Sequence, residues 1–153
     1  MVNRIAMVAG EASGDLLASH LIRALRRHLP EAEFYGIGGP KMQREGFHAL
    51  WPCERLAVHG YVDALKRYRE LSSIRRGLLA DMLRRPPDVF IGVDAPDFNL
   101  WLEGRMKKAG VPAIHFVSPS IWAWRAGRLE RIVRSVTHML CLFPFEPALY
   151  EGR

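Results

Sequence analysis

A doubly wound α/β domain on a mainly parallel sheet is the fold this sequence predicts, and three observations predict it. Short runs that are apolar almost throughout recur at 4–8, 34–37, 88–93, 113–117 and 138–143, as strands covered on both faces require. Segments with apolar residues at helical spacing lie between most of these runs. The first run also passes into its helical segment through Gly10-Glu11-Ala12-Ser13-Gly14-Asp15, a glycine-containing strand-to-helix turn.

Composition agrees with one domain of this kind. The 153 residues are 49% hydrophobic, 25% charged and 10% aromatic, which suffices for a core and argues against intrinsic disorder. Twenty-two Lys and Arg against 16 Asp and Glu leave +6, a balance that favours anionic partners without choosing among them. Cys53 and Cys141 form no CxxC pair, so neither a disulfide framework nor a zinc site is expected, and a reducing cytosol is the default. The apolar run near Met1 is too short for a signal peptide, and nowhere do about 18 consecutive apolar residues occur. Any membrane association is therefore expected to be peripheral.

The elements follow in order. After the strand at 4–8, Leu16, Leu17, His20, Leu21, Ala24, Leu25 and His28 repeat at helical spacing until Pro30, which predicts a helix from Asp15 onward. A second strand at 34–37 closes on Gly38-Gly39-Pro40 and opens a short helix at 41–45. Residues 56–85 read as one long basic amphipathic helix, with possible breaks at Gly60 or Gly77. A strand at 88–93, a helix at 98–109 ended by Gly110, a strand at 113–117, a helix at 125–136 and a strand at 138–143 complete the alternation. Residues 145–153 look like the start of a further helix, so the chain is expected to be part of a longer enzyme.

Three loops at strand ends carry the chemistry. In the first, Gly10 and Gly14 permit a sharp turn, and Ser13 either caps the helix or meets a ligand. The absence of GxGxxG, and the negative Glu11 where a pyrophosphate would sit, disfavour a dinucleotide. In the second loop, Gly92-Val93-Asp94-Ala95-Pro96-Asp97-Phe98-Asn99, Asp97 is most simply the helix N-cap. Asp94, at the strand's end, either fixes the loop or serves as a general base for a substrate hydroxyl. The third loop runs through Ser118, Ser120, Trp122, Trp124 and Arg125, whose hydroxyls and indole faces suit a sugar or phosphate or simply pack beneath the loop. His115 reads as a core histidine. No metal-ligand cluster is present in the sequence, and no metal or cofactor is expected. The 56–85 stretch either covers the sheet or offers an apolar surface with a cationic border to an anionic lipid; nucleic acid is disfavoured for want of interleaved aromatics.

Taken together, residues 8–15, 36–42, 92–99, 117–125 and 142–146 resemble the motifs of the lipid A disaccharide synthase family. The resemblance covers the whole chain but only the N-terminal part of the family's members, which carry a second Rossmann-like domain. It implies a Rossmann-like, acceptor-side domain (residues 1–153) of an inverting GT-B glycosyltransferase of Gram-negative bacteria. The implied reaction joins a UDP-linked diacylglucosamine to 2,3-diacylglucosamine 1-phosphate, making the lipid A disaccharide precursor and UDP. By that resemblance Asp94 is the catalytic base, while Glu11, Ser13, Asp15, Asn99, Ser118, Ser120, Trp124 and Arg125 line the interdomain cleft. Helix ends and basic groups, rather than a divalent ion, would stabilise the leaving UDP. Val62, Leu65, Lys66, Arg67, Tyr68 and Arg69 would meet acyl chains at the inner membrane, to which a cytoplasmic enzyme associates peripherally. The donor would be held by the missing domain, so the chain alone is expected to be inactive. Two other readings compete: a non-catalytic lipid-surface module and, more distantly, half of a nucleotide-sugar epimerase.

Overall fold

The computed structural model describes residues 1–56, 60–119 and 126–153, with backbone only at 60–66 and 126–127. Six parallel strands form one sheet in the order β3-β2-β1-β4-β5-β6. They are β1 (Arg4–Ala9), β2 (Glu33–Gly38), β3 (Phe47–Pro52), β4 (Val89–Val93), β5 (Ala113–Phe116) and β6 (His138–Leu140). The helices are α1 (Ala12–His28), α2 (Pro40–Arg44), α3 (Gly60–Arg84), α4 (Pro96–Lys108) and α5 (Ala126–Ser135).

The uninterrupted apolar character of β1 has a direct cause. Ile5, Met7 and Ala9 pack with Ala18 and Ile22 of α1 and Met42 of α2 on one face of the sheet. Ala6 and Val8 point the other way, into a core with Ile74, Leu78 and Met82 of α3 and Leu102 and Met106 of α4. Alternation along a strand thus feeds two cores, and both sets must be apolar. The chain winds from β1 outward to β3, then returns through α3 to β4 and winds the other way. Right-handed crossovers therefore put α1 and α2 opposite α3 and α4, and the strand order reverses between β1 and β4.

The elements depart from the sequence reading where an edge or a proline intervenes. Phe47–Pro52 was not expected as a strand; β3 lies at the sheet edge, its side chains alternate between buried and exposed, and so it lacks a continuous apolar run. Its Pro52 is tolerated for the same reason. The other edge strand, β6, ends at Leu140 rather than 143, after which Phe143 and Phe145 are exposed and stack at 5.7 Å. The helix expected at 145–153 is only a 3-10 turn, Pro147–Tyr150. The 56–85 stretch divides into a 3-10 turn, Cys53–Leu56, and the unbroken α3, with residues 57–59 outside the described residues.

Helix α1 starts at Ala12, not at Asp15, because Glu11 is extended and the Asp15 amide already donates to the Glu11 carbonyl at 2.9 Å. The turn after β1 is therefore only Gly10 and Glu11. Asp15 falls inside the first helical turn and is 3% exposed. Its carboxylate accepts from the backbone amides of Gly39 (3.1 Å), Lys41 (3.1 Å) and Met42 (3.0 Å). The expectation that Asp15 lines the cleft is corrected: it caps α2 across the domain, satisfying amides that a five-residue helix cannot pair internally.

A second buried polar pair lies under β4. Glu103 of α4 and His115 of β5 are both fully buried, with Oε1 2.6 Å from Nδ1, so His115 is a core histidine as its sequence context suggests. The pair is roofed by Gly92, where any Cβ would overlap Glu103 Oε1 and come within 2.9 Å of the Asn99 Cβ. Burial pushes the Glu103 carboxyl above its usual range, and the His115 interaction opposes this only in part.

Two outcomes follow for stability. Asp15→Ala should destabilise the domain by about 2 kcal/mol in urea unfolding, because three amides lose their charged acceptor. For Glu103, a raised folded-state value means stability is fully present below the unfolded carboxyl range and declines as pH rises through the folded value. Glu103→Gln should abolish that decline, so unfolding curves of the two proteins measured from pH 4 to 8 converge at low pH and separate upward in favour of the Gln variant.

Candidate active-site cleft

In an open parallel sheet the crevice forms at the carboxyl ends of strands where their order reverses. Here that place is between β1 and β4. Their register pairs Ala9 with Val93, which sets Gly10-Glu11 directly beside Asp94-Ala95. Glycine at 10 is what lets the two turns close, since a Cβ there would lie 3.1 Å from the Ala95 Cβ.

The turn after β4 is unusual in its backbone. Asp94 and Ala95 both adopt positive φ, 52° and 41°, a conformation that costs an L-residue free energy and persists only when its surroundings hold it. Asn99 does the holding. Fully buried, its amide nitrogen lies 2.8 Å from the Asp94 carbonyl, 3.4 Å from that of Val93 and 3.3 Å from that of Val8. The Asp94 amide meanwhile donates to the Phe116 carbonyl at 2.8 Å. The third non-glycine residue with positive φ among the described residues, Val117 at 78°, directly follows the adjacent strand β5. Backbone strain is thus gathered along one edge of the sheet.

Helix α4 begins one residue before Asp97. Ala95 is the N-cap and Pro96 the first helical residue, where its fixed φ and missing amide cost nothing. The assignment of Asp97 as N-cap is corrected: it sits in the first turn, exposed, 3.7 Å from Arg128. Ser13 likewise makes no capping bond and is exposed at the start of α1.

Glu11 and Asp94 share a cavity of about 490 Å³, whose floor is the two turns. Its opposite wall comes from α3: Tyr68, Leu71, Ser72 and Arg75, with Phe98 of α4 beside them. The spacing of those α3 residues, i, i+3, i+4 and i+7, is one helical face. That spacing is legible in the sequence, but nothing in it says that the face looks onto Asp94. Sequence reasoning therefore missed Ser72 and Arg75 as cavity residues and read Tyr68 only as a membrane contact.

The other residues singled out from the sequence fall elsewhere. Asn99 lies beneath the cleft rather than on its wall. Ser118 is buried on the far side, its hydroxyl 2.6 Å from that of Tyr150 and 3.1 Å from the Pro119 carbonyl. Ser120, Trp124 and Arg125 lie outside the described residues, as do the side chains of Val62, Leu65 and Lys66. Arg67 is half-buried, whereas Tyr68 (68%) and Arg69 are exposed near the mouth of the cavity. No helix of the described residues is long and apolar enough to cross a membrane.

Comparison with known proteins follows this geometry. The lipid-A-disaccharide synthetase family model matches residues 5–153. The lipid-A-disaccharide synthase of Aromatoleum aromaticum is 80% identical over 151 residues, covering 99% of this chain and 39% of its own length. That of an Azoarcus species is 78% identical over 151 residues, with the same coverage. The chain thus spans about two fifths of the relatives it matches. Among solved structures, the glycotransferase of kitacinnamycin superposes with a TM-score of 0.58 at 18% identity, over 87% of this chain and 36% of that one, which shows a shared fold. Over nearly its whole length the chain belongs to the lipid-A-disaccharide synthetase family.

Proposed function

We propose that this chain forms the acceptor side of a lipid A disaccharide synthase, with Asp94 as its general base. The observation that carries the reading is the Asp94 turn: a carboxyl-bearing residue held at positive φ, at the strand-order reversal, facing a cavity of about 490 Å³. A strained backbone at the end of a strand, fastened by a buried amide, aims a side chain more narrowly than a relaxed loop does.

In this mechanism Asp94 accepts the proton of the acceptor's 6-hydroxyl as that oxygen attacks the anomeric carbon of the UDP-linked sugar. The new carbon–oxygen bond forms opposite the breaking bond to the UDP phosphate, the configuration inverts, and UDP leaves. Glu11, across the turn from Asp94, is placed to hydrogen-bond a sugar hydroxyl. The half-buried position of Asp94 and the apolar Phe98 and Leu71 limit water around the transferring proton.

The acceptor is 2,3-diacylglucosamine 1-phosphate and the donor UDP-2,3-diacylglucosamine, the latter held by the remainder of the longer protein. Residues 62–69 carry the acyl chains toward the inner membrane surface of a cytoplasmic enzyme. The exposure of Tyr68 and Arg69 beside the cavity mouth supports that route.

Two measurements test this reading. Asp94→Asn in a full-length enzyme containing this segment should lower kcat by at least about a hundredfold with little change in acceptor KM, the scale of a lost general base; near-normal turnover would remove Asp94 from the role. The 153-residue chain alone should form no disaccharide from both substrates in a radiolabel assay, and turnover comparable to the full-length enzyme would overturn the division of labour.

A further inference from the structure

The cavity wall opposite Asp94 holds a cation with no counterion. The Arg75 guanidinium lies over the indole of Trp101, 4.4 Å from the ring centroid, with the Phe98 ring at 5.9 Å. Its Nε is buried without a hydrogen-bond partner, and no carboxylate stands within ion-pair distance among the described residues. Burial lowers its basicity, the Tyr68 phenol opposes this, and Arg131 on α5 and Arg76 on the same helix lower it further. Trp101 carries a second guanidinium, Arg105, at 4.9 Å.

A half-buried guanidinium with no carboxylate in ion-pair reach is costly unless something anionic completes it. Stacking on aromatic rings fixes the plane of the fork and leaves its N–H edge for a ligand with paired acceptor oxygens. A carboxylate would supply one charge. A phosphate monoester supplies nearly two, and its paired oxygens match the guanidinium fork. Glu11, Asp94 and Asp97 line the same cavity yet stand outside ion-pair reach of Arg75.

We propose that Arg75, oriented by Trp101 and Phe98, is the phosphate-monoester subsite of this cleft. The proposal rests on the acceptor reading above and deepens it: a hexose 1-phosphate carries its phosphate on C1 and its 6-hydroxyl on the carbon attached to C5, two positions flanking the ring oxygen, and Arg75 and Asp94 line one cavity. Arg75 then decides which sugars dock, and in which direction, without touching the reacting atoms.

The experiment is a titration of the 15N-labelled chain followed at the Arg75 Nε–Hε resonance, assigned by its loss in Arg75→Lys. Glucosamine 1-phosphate should move the resonance saturably and glucosamine should not. Arg75→Gln should weaken binding of glucosamine 1-phosphate by about tenfold or more, as loss of a charge-assisted bidentate contact predicts, Arg75→Lys should fall between, and Arg27→Gln on the far face should bind like the parent. Phosphatidylcholine vesicles containing phosphatidic acid form a second arm. A larger response to them than to the sugar phosphate assigns the subsite to a lipid headgroup, and the reverse assigns it to the sugar, both upholding a phosphate monoester at Arg75. An unmoved resonance with both ligands overturns the proposal, and so does unchanged affinity in a folded Arg75→Gln. Should that variant not fold, the parent titration and Arg75→Lys decide. The outcome is separable from the fate of the general base: normal turnover in Asp94→Asn would refute the base and leave this titration as it stands.

Discussion

The carboxamide of Asn99 is the contact on which the rest of the cleft depends. β1 and β4 stay paired up to Ala9 and Val93. One buried side chain meets carbonyls at this end of both strands, at Val8, Val93 and Asp94. Those bonds tie α4 to the two strands at one point and hold Asp94 and Ala95 in a left-handed backbone that an unfastened loop would leave. The Gly10 turn closes over Ala95 from the other side. What would otherwise be two flexible connections is a single rigid floor.

Beneath that floor the polar interior is arranged in depth. Asn99 and Glu103 are one helical turn apart on α4, and Glu103 reaches His115 on the neighbouring strand. Gly92 is the residue that makes room, because a side chain there would displace the Glu103 carboxyl. Such buried polar groups cost stability unless paired. Their concentration under one end of β4 and β5, where Val117 is also strained, sets this edge apart from the apolar packing of the rest of the sheet. Asp15 performs a related task on the other face, where it fastens α2 to α1.

The cleft is electrically divided. The turns after β1 and β4 supply the carboxylates of Glu11 and Asp94, α4 adds Asp97, and α3 supplies the guanidinium of Arg75. Phe98 and Trp101 hold the Arg75 guanidinium over their rings.

Much of this was legible in the residues themselves. Apolar runs long enough to bury both faces marked four of the six strands closely, because central parallel strands must be apolar on both sides. The edges were harder: β3 alternates and β6 is short, and a strand with one wet face does not announce itself. The motifs around Gly10 and Asp94 pointed to one crevice because strand ends in a parallel sheet share an edge, and the register of β1 against β4 bears that out. Sequence could not tell which polar residues of those motifs face the crevice and which lie under it. Asp15 and Asn99 stand within a few positions of Glu11 and Asp94, yet a helix turns each of them inward, to amides and carbonyls distant in the chain. Nor could it join Arg75 to Asp94, for their meeting depends on how α3 crosses the sheet. Periodicity along a chain determines which residues share a face; what that face meets is decided by packing between elements, and only the tertiary structure holds that information.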